Sequence, residues 1–307
     1  MAVSKIFIAG AGNIGASTAE VIARKQLGNT FLYDINENFA IGQVMDINQA
    51  SPSFGSDTPV RACGSIDGLD GADVVIISAG AARHAGMSRM DLLQQNQEIV
   101  RGIGESIMSH CPSAIVLLVT NPVDVLTWYL KEQWPSMNVF GLGCSLDALR
   151  FRYFIAEAAG VSVNSVSGTV IGLHNNNMIP LVSSATAGGV PVRDLLSGKE
   201  ITSVIDKTKE AGTTIVVRLI NRSGFYAASN TIAEIIESIV FDKRAVFPLS
   251  IYCGGEHGYH GICLALPSVV GESGVERVIT HGLDEEERGM LAVCAEEMSR
   301  IIGTLKK

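Results

Sequence analysis

Residues 5 to 15 read Lys-Ile-Phe-Ile-Ala-Gly-Ala-Gly-Asn-Ile-Gly, an apolar strand that runs without a spacer into three spaced glycines and then into a helical stretch ending near Lys25. That sequence of events constrains the fold strongly. Gly10 permits the tight turn, Gly12 lets the backbone approach a pyrophosphate, and Gly15 lets the helix close on the strand, with the helix N-terminus presenting free N–H groups to phosphate. The next apolar run, residues 30–34, ends in Asp34, which lies 19 residues past Gly15. A carboxylate there can accept hydrogen bonds from both ribose hydroxyls. Asp34 would repel a 2′-phosphate, and no Arg or Lys lies between Ile35 and Ile47 to bind one. Gly10, Gly12, Gly15 and Asp34 therefore describe a dinucleotide site suited to NAD.

The turn opens a repeating pattern. β-rich segments at 5–9, 30–34, 60–63, 72–80, 113–120 and 138–142 alternate with helical stretches at 14–25, 89–110 and 123–133. Such alternation builds an α/β, doubly wound (Rossmann) parallel sheet. The second half differs, with helices over 146–159, 201–219 and 226–241 and β runs near 164–173, 245–252 and 261–266. A last helix follows Asp284, its acidic start and lysine end complementing the dipole. The change falls near Gly143, so residues 1–143 are expected to form an NAD-binding domain and 144–307 an α+β catalytic domain.

Composition excludes several classes. Charged residues make up 18% of the 307, against roughly 25% in soluble domains, and the net charge is −8 with no basic block. Nucleic acid is therefore not an expected partner. No apolar run approaches the roughly 20 residues of a membrane span, the strongest stopping at Arg83. Met1 to Lys5 leads directly into the first strand without leader features, which points to the cytoplasm. Six cysteines, at 63, 111, 144, 253, 263 and 294, form no Cys-x-x-Cys pair and read as reduced thiols. Cys253, His257, His260 and Cys263 are zinc-ligand types, but their spacing fits no common structural site and no metal is expected.

Three further groups each carry two readings. Arg83 and Arg89 occupy a loop after the fourth strand, either as a solvated basic segment or as guanidinium forks for an anionic substrate. Asp147 and Arg150, three apart on a helix, are a local ion pair or part of a site. His174 is the only imidazole in a charge-free tract of 35 residues, Ala158 to Val192. It is a satisfied core residue or a proton-transfer group tuned by a carboxylate.

The strings GAGNIG, FLYDIN, ADVVIISAG, GMSRMDLLQQN, VTNPVDVLT, SLDALRFRYFIAE, VIGLHNNNMIPL and GVERVI resemble, in order, those of the L-lactate and L-malate dehydrogenase family. The resemblance implies His174 as acid and base, Asp147 as its orienting carboxylate, and Arg150 as a bidentate clamp on the substrate carboxylate. It implies Arg89 as the carbonyl-polarising loop residue and Asn121 as a partner of substrate and nicotinamide. Asn13, Ile14, Ala79, Gly80, Asn96 and Thr120 would line NAD with the glycines and Asp34. Arg83, where lactate enzymes usually have Gln, and Gly224, where they commonly have Thr, imply malate and oxaloacetate. The implied enzyme is an NAD-dependent malate dehydrogenase of the tricarboxylic acid cycle, assembled as a homodimer or homotetramer. A dehydrogenase of another 2-hydroxy acid such as lactate, or a catalytically weakened nucleotide-binding homologue, is the alternative. The chain departs from the family in placing Asn175-Asn176-Asn177 after His174, where Gly-Asp is usual. Asn tolerates φ > 0, so Asn175 is expected to keep a left-handed turn. Gly255-Glu256-His257-Gly258 imitates the motif around the family's histidine without the Met-x-Pro-Leu that follows His174 at Met178 to Leu181.

Overall fold

The computed structural model describes residues 5–81, 89–220, 223–280 and 282–305. The first half builds β1 (Lys5–Ala9), α1 (Asn13–Arg24), β2 (Asn29–Tyr33), α2 (Glu37–Phe54), β3 (Val60–Cys63), β4 (Val74–Ile77), α3 (Arg89–His110), β5 (Ile115–Leu118), α4 (Val123–Gln133) and β6 (Asn138–Gly141). β4 and β5 are buried along their whole length, as strands covered on both faces must be. These strands are all parallel in the order β3-β2-β1-β4-β5-β6, the doubly wound arrangement expected from the alternating pattern.

Helix α2 is the element that periodicity missed. Only Ala40, Val44 and Ile47 of its 18 residues are buried, while Phe39, Ile41 and Met45 face outward, so its pattern carries no clear apolar stripe. Its ends are marked instead. The Asn36 side chain accepts a hydrogen bond from the Phe39 N–H at 3.2 Å, and Gly55 closes the helix in a left-handed conformation.

Beyond Gly143 come α5 (Ser145–Ala159), the short strands β7 (Val166–Ser167), β8 (Val170–Ile171), β9 (Ile179–Pro180), β10 (Thr186–Ala187) and β11 (Val190–Pro191), then α6 (Val192–Leu195), α7 (Gly198–Arg218) and α8 (Tyr226–Val240). β12 (Ala245–Gly254), β13 (His260–Gly271), β14 (Gly274–Val278) and α9 (Glu285–Leu305) complete the described chain. The expected strand near 164–173 is two short pieces separated by Gly168 and Thr169. β12 and β13 outrun the expected limits and form an antiparallel pair that extends the parallel sheet through Ser250 against Gly141, giving nine continuous strands. The large core spreads over both halves of this sheet, and a second cluster gathers Ala148, Phe151, Ile155, Val170 and Val204 between α5, α7 and the charge-free tract. Five of the six cysteines are buried and all are free thiols. Among the described residues no helix is long and apolar enough to cross a membrane.

Candidate active site

The strand order reverses between β1 and β4, and the loops after β1, β4, β5 and β6 open on the same sheet end, where ligands of such folds bind. At the first turn Gly10 has φ +106° and its N–H donates to the Tyr33 carbonyl at 2.8 Å. A Cβ at Gly15 would lie 1.9 Å from the Gly10 carbonyl oxygen, so α1 can seat on the turn only with glycine there. A Cβ at Gly12, by contrast, would meet nothing within 4 Å, which leaves that backbone open to a ligand. Asp34 accepts from the Ala11 N–H at 2.9 Å and the Asn36 N–H at 3.0 Å, fixing its carboxylate beside the turn with lone pairs to spare. The open Gly12 backbone and the anchored Asp34 fit a dinucleotide with unphosphorylated ribose hydroxyls.

Of the other residues assigned to the cofactor, Asn13 opens α1 and Ile14, with Asn121, lines a cavity of about 450 Å³. Asn96 and Thr120 work differently. The buried Asn96 accepts from the Ala81 N–H and donates to the Asn121 carbonyl, both at 2.7 Å, while the Thr120 hydroxyl donates to the Ala79 carbonyl at 2.6 Å. They brace the loops carrying Ala79, Gly80 and Asn121 rather than offering free groups.

The same cavity is lined by Asp147 and Arg150 from α5 and by His174 from the segment after β8. Their spacing of three residues puts Asp147 and Arg150 on one face of α5, and the tertiary fold brings the imidazole to them. His174 Nδ1 lies 2.6 Å from Asp147 Oδ2, and Arg150 Nη1 donates to Asp147 Oδ1 at 3.2 Å. Burial alone would raise the Asp147 carboxyl, but His174 and Arg150 together hold it below the ordinary range. The Asp147 charge in turn raises the His174 imidazole, overcoming the opposing effects of burial and Arg150. With Nδ1 engaged by Asp147, Nε2 is the nitrogen left to exchange a proton with a ligand. Arg150 Nε is buried without a hydrogen-bond partner among the described residues. A buried donor of that kind suits an incoming carboxylate.

The expectation at Asn175 is revised. Asn175 is not among the positive-φ residues, and Gly172, two residues before His174, takes φ +97° instead. The Asn175 side chain accepts from the Asn177 N–H at 2.7 Å and donates to Glu297 Oε1 at 3.3 Å, and Asn177 donates to Glu297 Oε2 at 2.6 Å. The asparagine run is thus a tether to α9. A side chain at Gly224 would first meet Ile215 Cγ2 on α7, at 2.9 Å, so the glycine accommodates helix packing as well as cavity space. Arg89 is the first residue of α3, and Arg83 lies outside the described residues. His257 is in the turn between β12 and β13 with φ 50° and does not line the cavity. No group of three or more His, Cys, Asp or Glu is placed to hold a metal ion among the described residues.

Sequence reasoning missed Asp124, a buried carboxylate in the first turn of α4 whose Oδ2 accepts the His174 backbone N–H at 2.8 Å. After Pro122 it reads as an ordinary acid at a helix start, and nothing local to it signals His174, 50 residues away. Lys209 and Thr213, which line the cavity from α7, were also unmarked.

Comparison with known proteins agrees with this geometry. A family model described as lactate/malate dehydrogenase, NAD binding domain, matches residues 4–141, and one described as lactate/malate dehydrogenase, alpha/beta C-terminal domain, matches residues 144–307. The malate dehydrogenase of Bacillus subtilis (strain 168) is 38% identical over 305 residues, 98% of each protein. The crystal structure of Cryptosporidium parvum malate dehydrogenase superposes with a TM-score of 0.94 at 33% identity, covering 99% of both chains. The Eimeria maxima lactate dehydrogenase, solved with NADH and oxamate, also gives 0.94 at 33% identity, covering 99% of this chain and 94% of that one. On matches that run the length of both halves, the chain belongs to the lactate/malate dehydrogenase family.

Proposed function

We propose that the protein catalyses the reversible, NAD-dependent oxidation of L-malate to oxaloacetate. The observation that carries this reading is the buried Asp147 carboxylate joined to both His174 and Arg150 at the cavity that Ile14 of the glycine-rich turn also lines. Arg150 holds the carboxylate next to the reacting carbon. His174 Nε2 takes the hydroxyl proton, and Asp147 stabilises the resulting imidazolium. Bound NAD supplies the hydride acceptor. Asn121 orients the substrate oxygen, and Arg89 polarises the carbonyl in the reverse direction. Arg83 pairs with the distal carboxylate, which selects a dicarboxylate over lactate or pyruvate. Gly10, Gly12, Asn13, Ile14, Gly15, Asp34, Ala79 and Gly80 line NAD.

The buried free thiols and the lack of a membrane-crossing helix among the described residues support a cytoplasmic enzyme. Outward-facing Ile35, Phe39, Ile41 and Met45 at the start and along α2 support a homodimer or homotetramer, which sedimentation measures. The decisive assay follows NADH loss with oxaloacetate and with pyruvate. Turnover of oxaloacetate at least about tenfold above pyruvate in kcat/KM, a difference of about 1.4 kcal/mol in transition-state binding, is expected. Preference for pyruvate would make it a lactate enzyme, and NADH binding without turnover of either would make it a nucleotide-binding homologue.

A further inference from the structure

His174 is gripped at two points by two different helices. Its ring meets Asp147 of α5, and its backbone N–H donates to Asp124 of α4 at 2.8 Å. Asp124 is 6% exposed, and its place in the first turn of α4 sets its carboxylate at the positive end of the helix. Burial pushes the Asp124 carboxyl upward, against the nearby Ser250 hydroxyl and the His174 N–H, which hold it down, and its Oδ1 is buried without a hydrogen-bond partner among the described residues. A buried carboxylate is costly to keep, and a backbone amide elsewhere in the fold could be satisfied by a neutral acceptor. α4 begins at Val123, two residues after Asn121, and both residues line the cavity.

We propose that Asp124 is a positioning residue for the reaction, fixing the backbone of His174 so that the imidazole stands between Asp147 and the substrate. The hydrogen bond removes the freedom of the segment to slide along α4, and the Asp147 contact then sets the ring's rotation. Neither anchor alone defines where Nε2 points. This rests on the reading of His174 as the acid and base.

Asp124→Ala, which removes the acceptor, is expected to lower kcat for malate oxidation about tenfold to a hundredfold, the scale of a small misplacement of a reacting group. KM for malate and NADH affinity should change less than about threefold, because Asp124 does not line the cavity. The acid limb of the pH profile should also move to lower pH, as the imidazole loses its fixed alignment with Asp147 and a nearby negative charge. The groups facing or bordering His174 are Asp147 and Arg150 on α5, Asp124 on α4, Lys209 on α7 and, through Asn175, Glu297 on α9. Asp124→Asn keeps an acceptor oxygen in the same place and should restore most of kcat. If Asp124→Ala does not bind NADH, Asp124→Ser, too short to reach the amide, takes its place in the comparison. A kcat within twofold of the parent for the truncated variant, an unmoved acid limb, or Asp124→Asn no better than Asp124→Ala would overturn the proposal. His174→Asn, measured in parallel, tests the underlying reading separately: NADH binding with turnover retained would remove His174 from the chemistry and leave Asp124 nothing to position.

Discussion

His174 holds its proton to higher pH than a free imidazole, whose ordinary value is about 6.5, because the Asp147 charge lies against it. With His174 as the proposed acid and base, malate oxidation requires it neutral, so kcat/KM should fall as pH drops through a group titrating above that ordinary value. Oxaloacetate reduction requires the imidazolium and falls as pH rises through the same group. Asp147→Asn removes the charge and should shift both limbs to lower pH, which initial rates across pH 5 to 9 would show. Arg150→Lys keeps the charge but loses the planar fork, and a loss of about 10- to 100-fold in kcat/KM is expected, equivalent to roughly 1.5–3 kcal/mol for a charge-assisted hydrogen bond. Arg83→Gln should reduce oxaloacetate turnover by about two orders of magnitude while pyruvate turnover holds or rises. Equal loss on both substrates would remove Arg83 from substrate choice.

Two elements seat the site, and each can be tested on its own. α1 sits on its turn only because Gly15 has no side chain, so Gly15→Ala, which sets a methyl 1.9 Å from the Gly10 carbonyl oxygen, forces the helix outward. NADH affinity should drop at least about tenfold, or 1.4 kcal/mol, in a fluorescence titration. α9 is tied to the histidine segment through Glu297 and the two asparagines, and Cys294 one turn earlier donates to the Asn177 carbonyl at 3.2 Å. Glu297→Ala should cost about 1–2 kcal/mol of stability, read from the urea midpoint, the partly exposed site placing it toward the lower end for hydrogen bonds to a charge. An unchanged midpoint would show that the tether contributes nothing.

Across the whole molecule, the sheet joins the two halves. β12 pairs with β6, the Cys144 N–H and the Ser145 hydroxyl both bond the Pro248 carbonyl, and α8 packs on both α1 and α5. A chain with its two halves interleaved in this way should unfold in one calorimetric transition, with circular dichroism and fluorescence coincident. Two separated transitions would show independent halves. What the sequence determined by itself is local: β1, the glycine turn, Asp34, the buried strands and the limits of α3 and α4 follow from periodicity and steric need within a few tens of residues. α2 escaped because it has almost no buried stripe, and its caps, though present, were not enough to separate it from loop. The family resemblance supplied roles for His174, Asp147 and Arg150, whose spacing alone favoured a core histidine and a local ion pair. Tertiary structure alone decided that β12 and β13 continue the parallel sheet, that Asn175 tethers its turn to Glu297 without a left-handed backbone, and that Asp124 meets the backbone of His174. Contacts between residues 50 to about 120 apart depend on where whole elements pack, and no local pattern encodes that.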